Sequence, residues 1–197
     1  MASDGAAGDG LGNAVSVIGP TVFAGAPGHA SVAGRVYVFS KTAAGWRQTS
    51  ELVGSGTIGG DAFGASVAAS GNTLVVGARG HAKLAGQVYV FGQTASGWRQ
   101  TAELSGSGTT AFDELGSSVA VSGDVLVAAA RGYGSNSGRI FVFNATPAGW
   151  SQTSELGGSD TVPNDGFGAQ VAISGNTLVA GATGHAGNSG RAYVFQS

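Results

Sequence analysis

Apolar positions along this chain fall in short runs that alternate with polar ones at a spacing of two, as in Val36-Tyr37-Val38-Phe39 and Trp46-Arg47-Gln48-Thr49. Such alternation places one set of side chains on each face of an extended strand. Val, Tyr, Phe and Thr dominate the runs, and Gly, Ser, Asn and Asp stand between them. No segment carries apolar residues at helical spacing over a useful length, so the pattern predicts an all-β chain. Residues 53–104 show it most plainly, with strands predicted at 65–69, 73–78, 87–91 and 98–104. Ser70-Gly71-Asn72 supplies a tight turn, 79–86 a Gly-rich loop and Ala95-Ser96-Gly97 a second turn. The first copy of that tight turn reads Ile18-Gly19-Pro20, which predicts a different turn at the same place.

The same unit recurs every 52 residues without insertion or deletion. Trp46, Trp98 and Trp150 share the spacing, as do the aromatic-Val-Phe triplets that begin at Tyr37, Tyr89, Phe141 and Tyr193. So do Gly12, Gly64, Gly116 and Gly168, and the acids Asp9, Asp61, Asp113 and Asp165. Four-stranded units of this length are the mark of propeller blades, with a sandwich or β-solenoid as the runner-up. The expected fold is therefore one β-propeller domain, 1–197, of four 52-residue four-stranded blades at 1–52, 53–104, 105–156 and 157–197. The last blade is expected to lack its outermost strand, because no counterpart of residues 42–52 follows it. The segment 1–10 aligns with the inter-blade loops 53–62 and 105–114 and is not expected to supply that strand. Small residues in Ser66-Val67-Ala68-Ala69 and Ser118-Val119-Ala120-Val121 suit strands converging on a narrow axis, and the tryptophans fall on the outermost strand. A narrow axis favours closure of four blades within one chain, with an edge-to-edge pair forming eight blades as the alternative; the expected state is monomer or edge-to-edge homo-oligomer.

Composition trims the list of functions. Of 197 residues only 10% are charged, 9 Lys+Arg against 11 Asp+Glu, giving a net charge of −2. That is far below the roughly 25% charged residues of an average domain and excludes a basic nucleic-acid clamp. With 42% apolar residues the chain can build a core, and with no cysteine it has neither disulfide nor thiolate metal site. No apolar run reaches the roughly 18 residues of a membrane span, so no membrane insertion is expected. Met1-Ala2-Ser3-Asp4-Gly5 does not read as a signal peptide.

Phe63-Gly64-Ala65-Ser66-Val67, then Val75-Val76-Gly77-Ala78, then Gly86-Gln87-Val88-Tyr89-Val90-Phe91 resembles the FG-GAP repeat of integrin α-subunit propellers and bacterial repeat proteins. Leu11-Gly12 followed by Gly25-Ala26-Pro27 comes closest to the motif for which the repeat is named. The resemblance spans essentially the whole chain and implies a propeller that acts outside the cell or at its surface in adhesion or carbohydrate recognition. Integrin-like propellers have seven blades, and this chain departs from that number.

Nearly every polar candidate repeats with the blades, which spreads like groups around a ring, whereas catalysis gathers unlike groups at one atom. No Ser-His-Asp order, P-loop or H-E-x-x-H is present, and no enzyme is expected. His29, His81 and His185 occupy one loop position, with Tyr133 in the third copy, and are expected as exposed loop residues or as ligand-contacting rings on Gly-rich loops. Arg35, Arg139 and Arg191 open the third strand of their units and are candidate pocket edges. The Asp series is expected to hold the inter-blade turns by accepting backbone N–H groups. Calcium is the sharper alternative that integrin-type loops suggest, with Asp4, Asp9, Asp160 and Asp165 as its weak candidates. Glu51, Glu103 and Glu155 are expected to pair with Arg47 and Arg99 along the outermost strands. These readings converge on an extracellular recognition or adhesion module, with glycan binding through repeated loops as the most concrete version. The competing reading is a self-assembling scaffold, engineered or a piece of a longer array, without a small-molecule ligand.

Overall fold

The computed structural model describes residues 2–196 and contains 15 strands in four antiparallel sheets. Blade 1 comprises β1 (Ala14–Ile18), β2 (Thr21–Ala26), β3 (Arg35–Thr42) and β4 (Gly45–Leu52). Blade 2 comprises β5 (Phe63–Ser70), β6 (Thr73–Ala78), β7 (Gln87–Thr94) and β8 (Gly97–Leu104). Blade 3 repeats this with β9 (Leu115–Ser122), β10 (Val125–Ala130), β11 (Arg139–Thr146) and β12 (Gly149–Leu156). Blade 4 has β13 (Phe167–Ser174), β14 (Thr177–Ala182) and β15 (Arg191–Gln196). Each sheet is a meander in sequence order, and the last has three strands, as the sequence predicts.

The chemistry of the turns explains the meander. Ser70 pairs with Thr73, leaving Gly71-Asn72 as a two-residue connection with Gly71 at φ +56°. Ile18 pairs with Thr21 in the same way, with Gly19 at φ +50°. The first copy therefore uses the same connection rather than the different turn expected from Ile18-Gly19-Pro20. Positive φ is needed at the glycine, and the second turn position accepts the fixed negative φ of Pro20.

Blades pack face to face. The forward face of blade 1, with Phe23, Val36, Val38 and Leu52, meets the rear face of blade 2, with Phe63, Leu74, Val76, Tyr89 and Phe91. The same positions recur at the next two junctions, for example Val88, Val90 and Leu104 against Leu126, Phe141 and Phe143, and Ile140 and Val127 against Phe167 and Leu178. Trp98 closes the outer end of the first junction, edge-on to Phe23 at 5.0 Å between ring centroids. Backbone bonds stitch the inner ends together. After β2 the chain makes a left-handed turn through Ala30, Ser31 and Val32, and the carbonyls of Ser31, Val32 and Ala33 accept N–H groups of Gly60, Ala62 and Phe63 at 3.2, 2.7 and 3.0 Å. The counterparts at 83–85 and 135–137 accept from blades 3 and 4 in the same way.

Val15, Val67, Val119 and Val171 line one central cleft, so the small-residue strands do converge on a shared axis. The four blades nevertheless form an arc. Among the described residues blade 4 packs on blade 3, and no comparable packing joins it to blade 1, leaving Val15 and Val17 at 64% and 66% exposed and Val194 at 64%. Closure within one chain, the expectation from the small inner residues, is therefore corrected: small residues permit a narrow axis, but how far the blades rotate about it depends on blade-to-blade packing. The described part of segment 1–10 occupies the inter-blade loop position, as expected. Ser3 N–H donates to Gln48 Oε1 at 2.8 Å, as Ser55 does to Gln100 at 2.9 Å and Ser107 to Gln152 at 2.8 Å.

Candidate functional site

The repeated polar residues form ties beside the left-handed turns. Asp9, Asp61, Asp113 and Asp165 are buried, and each carboxylate accepts the N–H three residues earlier: from Ala6 at 2.9 Å, Ile58 at 3.0 Å, Thr110 at 2.6 Å and Val162 at 3.0 Å. This is the turn-holding role expected of the series. Three of them also receive a histidine: His29 Nδ1 lies 3.0 Å from Asp9, and His81 and His185 lie 2.9 Å from Asp61 and Asp165. The imidazoles are thus turned onto their own blade, with side-chain exposures of 14%, 30% and 17%. Backbone N–H donation first, then the histidine bond, holds Asp9 and Asp165 below the usual carboxylate range.

The end blades add a second acid that the middle blades lack, Asp4 and Asp160 against Gly56 and Gly108. Asp4 accepts the hydroxyl of Tyr37 at 2.6 Å and lies 3.7 Å from both His29 Nε2 and Arg35. Asp160 accepts the hydroxyl of Tyr193 at 2.6 Å, lies 3.8 Å from His185 Nε2 and is bonded by Arg191. These tyrosine hydrogen bonds are the main cause of the lowered pKa of both acids. Burial, reinforced by the Asp4 bond, raises Tyr37 strongly, and burial pushes Tyr89 up to about 12. The four calcium candidates thus face N–H, O–H and cationic groups. No cluster of three or more acid or imidazole ligands that could hold a metal occurs among the described residues.

The arginines at the start of the third strands differ from one another. Arg35 pairs with Glu51, Arg191 with Asp160, and the guanidinium of Arg139 lies over the Tyr133 ring at 4.9 Å. The expected pairing of Glu51, Glu103 and Glu155 with Arg47 and Arg99 is corrected: Glu51 pairs with Arg35, and Glu103 and Glu155 accept from Ser55 and Gln100, and from Ser107 and Gln152. Loop serines and strand glutamines reach these carboxylates from nearby, whereas Arg99 is held by Ser96 at 3.1 Å.

Residues that only some of the blades carry gather elsewhere. At one end of the axis a cleft of about 240 Å³ is lined by residues of all four blades, among them Asn13, Arg79, Glu114, Arg131 and Gln170. It adjoins a second cleft of about 360 Å³ that shares Arg79, Glu114 and Arg131 and adds Asn136 and Asn164. Arg79 is 3.8 Å from Glu114, whereas Arg131 has no carboxylate partner among the described residues. Sequence reasoning passed over these residues because it followed what repeats. The signal lay in what repeats only in part: Arg79 and Arg131 share a repeat position that holds Pro27 and Thr183 in the end blades, and Gly10, Ala62 and Gly166 stand where Glu114 does. No imidazole is among the lining residues, and Ser117, the hydroxyl at the cleft, donates to the Ala129 carbonyl at 3.1 Å. The arrangement offers charged and amide hydrogen-bonding groups around a polar hollow, suited to holding an anionic, hydroxyl-rich molecule.

A family model described as FG-GAP repeat matches residues 46–91, 98–143 and 150–195. The chain belongs to the FG-GAP repeat family, and its fold is a β-propeller of FG-GAP blades. Each match takes the outermost strand of one sheet and the three inner strands of the next, so the family's repeat straddles two blades. No curated protein sequence matches the chain. Among solved structures it is similar to Sqt1 of Saccharomyces cerevisiae, with a TM-score of 0.51 and 13% identity. That likeness, to a WD40-type propeller, covers 86% of this chain and 42% of the other, so the chain spans less than half the length of this relative.

Proposed function

We propose that this protein is a non-enzymatic recognition module of the adhesion type and that the axial cleft holds an acidic glycan. The observation that carries this reading is the gathering of Arg79, Arg131 and Glu114 in one hollow lined by all four blades, with arginine at one repeat position in the two middle blades only and an acid in blade 3 alone. Guanidinium groups bind carboxylates through paired N–H donors, and Asn13, Gln170 and Asn164 add groups matched to sugar hydroxyls. The repeated histidines, bonded to Asp9, Asp61 and Asp165, take no part in this reading. An extracellular setting goes with it and rests on the family resemblance alone.

Titration calorimetry with uronate-containing oligosaccharides tests the proposal. Binding is expected to weaken about tenfold, or about 1.4 kcal/mol, for each of Arg79→Ala and Arg131→Ala. It is also expected to weaken as salt rises and to be indifferent to calcium chelation. Equal binding by the double arginine variant, or no binding of any acidic glycan by the native chain, overturns it.

A further inference from the structure

Every blade-to-blade junction in this chain joins a forward face to a rear face, and two such faces remain open over much of their area, although Tyr37 on the rear face of blade 1 is buried beside Asp4. On the forward face of blade 4, Val179 and Val194 are 37% and 64% exposed, while their counterparts Val75 and Val90 in blade 2 are 0% and 1% exposed. On the rear face of blade 1, Val17 and Trp46 are 66% and 50% exposed, while Val121, the counterpart of Val17, is 8% exposed and Trp150 packs into a core. Water faces residues that the same repeat elsewhere puts in the interior.

The backbone repeats the asymmetry. At the three internal junctions the carbonyls after the left-handed turn accept three N–H groups from the next blade. The corresponding acceptors of blade 4, the carbonyls of Gly187, Asn188 and Ser189, make no hydrogen bond among the described residues. Nor do the corresponding donors of blade 1, the N–H groups of Gly8, Gly10 and Leu11. One end of the arc therefore presents acceptors and the other presents donors, at the spacing that already bonds three times within the chain. Each end also carries the apolar side chains that meet there.

We propose that a second copy of this chain occupies both faces, the forward face of blade 4 in each copy covering the rear face of blade 1 in the other. Apolar pattern and backbone register are complementary over the three strands that blade 4 has, because across those strands each open face repeats the partner that the chain's own blades already select. A single chain cannot make this contact, since its blades 1 and 4 lie at opposite ends of the arc. The contact is head to tail, and two copies related by a two-fold axis form it twice, closing a ring of eight blades.

Sedimentation velocity on the 197-residue chain between about 1 and 100 µM tests the proposal. A species of twice the 19.1 kDa chain mass is expected. Val17→Asp and Val194→Lys change residues exposed in the separate chain, so each is expected to keep the native circular dichroism and melting temperature yet sediment as a monomer. Mixed in equal amounts, the two variants are expected to regain the paired species, because one of the two junctions is then wholly native. Gly181→Ala gives a second reading. Its added methyl meets open space within the chain, so it is expected to preserve the fold while weakening the pair at least tenfold. A native chain that stays monomeric at 100 µM overturns the proposal. So does pairing that Val194→Lys abolishes and Val17→Asp leaves intact, which would mean blade 4 meeting itself. A ladder of larger species overturns the closed ring.

Discussion

The internal junctions and the two open faces are built from the same repeat, yet one set is core and the other surface. Phe63 in blade 2 is fully buried and Leu11, its counterpart in blade 1, is 40% exposed, because one has a blade before it and the other does not. The comparison teaches that in a repeat array the neighbour decides what a residue does, and that the unit alone does not. It also supplies internal controls, since one substitution can be placed in both settings at the same point of the blade. Both settings are present in the separate chain, in dilute solution.

The largest contrast is expected from Phe63→Ala against Leu11→Ala. Removing a buried ring at a junction is expected to cost about 3–5 kcal/mol, and removing the half-exposed leucine about 0.5 kcal/mol. Urea denaturation checks both, and equal losses would erase the distinction between junction and open face. Next comes Gly77→Ala against Gly181→Ala. A methyl at Gly77 would stand 2.0 Å from the Gly116 carbonyl oxygen of the next blade, whereas at Gly181 nothing lies within 4 Å. The first is expected to cost about 1–3 kcal/mol and the second little, by the same measurement. Blade 3 carries Ala129 at this position, and there the pairing of β13 with β14 is interrupted from Phe167 to Val171, a longer break than that from Phe63 to Ser66 in blade 2.

Asp61→Ala tests whether the ties under the turns are structural. Losing the acceptor for Ile58 N–H and His81 is expected to cost about 1–3 kcal/mol in thermal unfolding while leaving ligand affinity at the axial cleft unchanged. A smaller effect is expected from acid. The pKa values of Asp4, Asp9, Asp160 and Asp165 are lowered from 3.8 by the fold, so their contribution is complete above that pH and is lost as pH falls through the lower folded values. The double change Asp4→Gly and Asp160→Gly, which copies the middle blades, is expected to make the fall in stability below pH 3.8 less steep; an unchanged slope would contradict the assignment.

Much of this architecture is legible in the chain because one period governs it. The spacing of the tryptophans and of the aromatic-Val-Phe triplets specifies four sheets, and the missing counterpart of 42–52 specifies the three-stranded last blade. The Asp series could also be read, since a carboxylate three residues after a free N–H has an obvious local partner. The histidines could not. Their orientation depends on Asp9, Asp61 and Asp165, each twenty residues earlier, and the fold alone brings them together. Closure was illegible for a similar reason, because the turn from each blade to the next accumulates from packing between faces and no single residue encodes it. The axial cleft was illegible because its charged groups occur in only some blades, Arg79 and Arg131 in the middle two and Glu114 in one, and nothing local brings them together.

The claim that a neighbouring blade alone separates core from surface is tested most directly by acrylamide quenching of three chains, each keeping one of Trp46, Trp98 and Trp150 with the other two changed to Phe. In dilute solution Trp46 is expected to quench as a half-exposed indole, and Trp98 and Trp150, packed on the blades before them, far less. Equal quenching of all three would contradict the open arc and the account built on it.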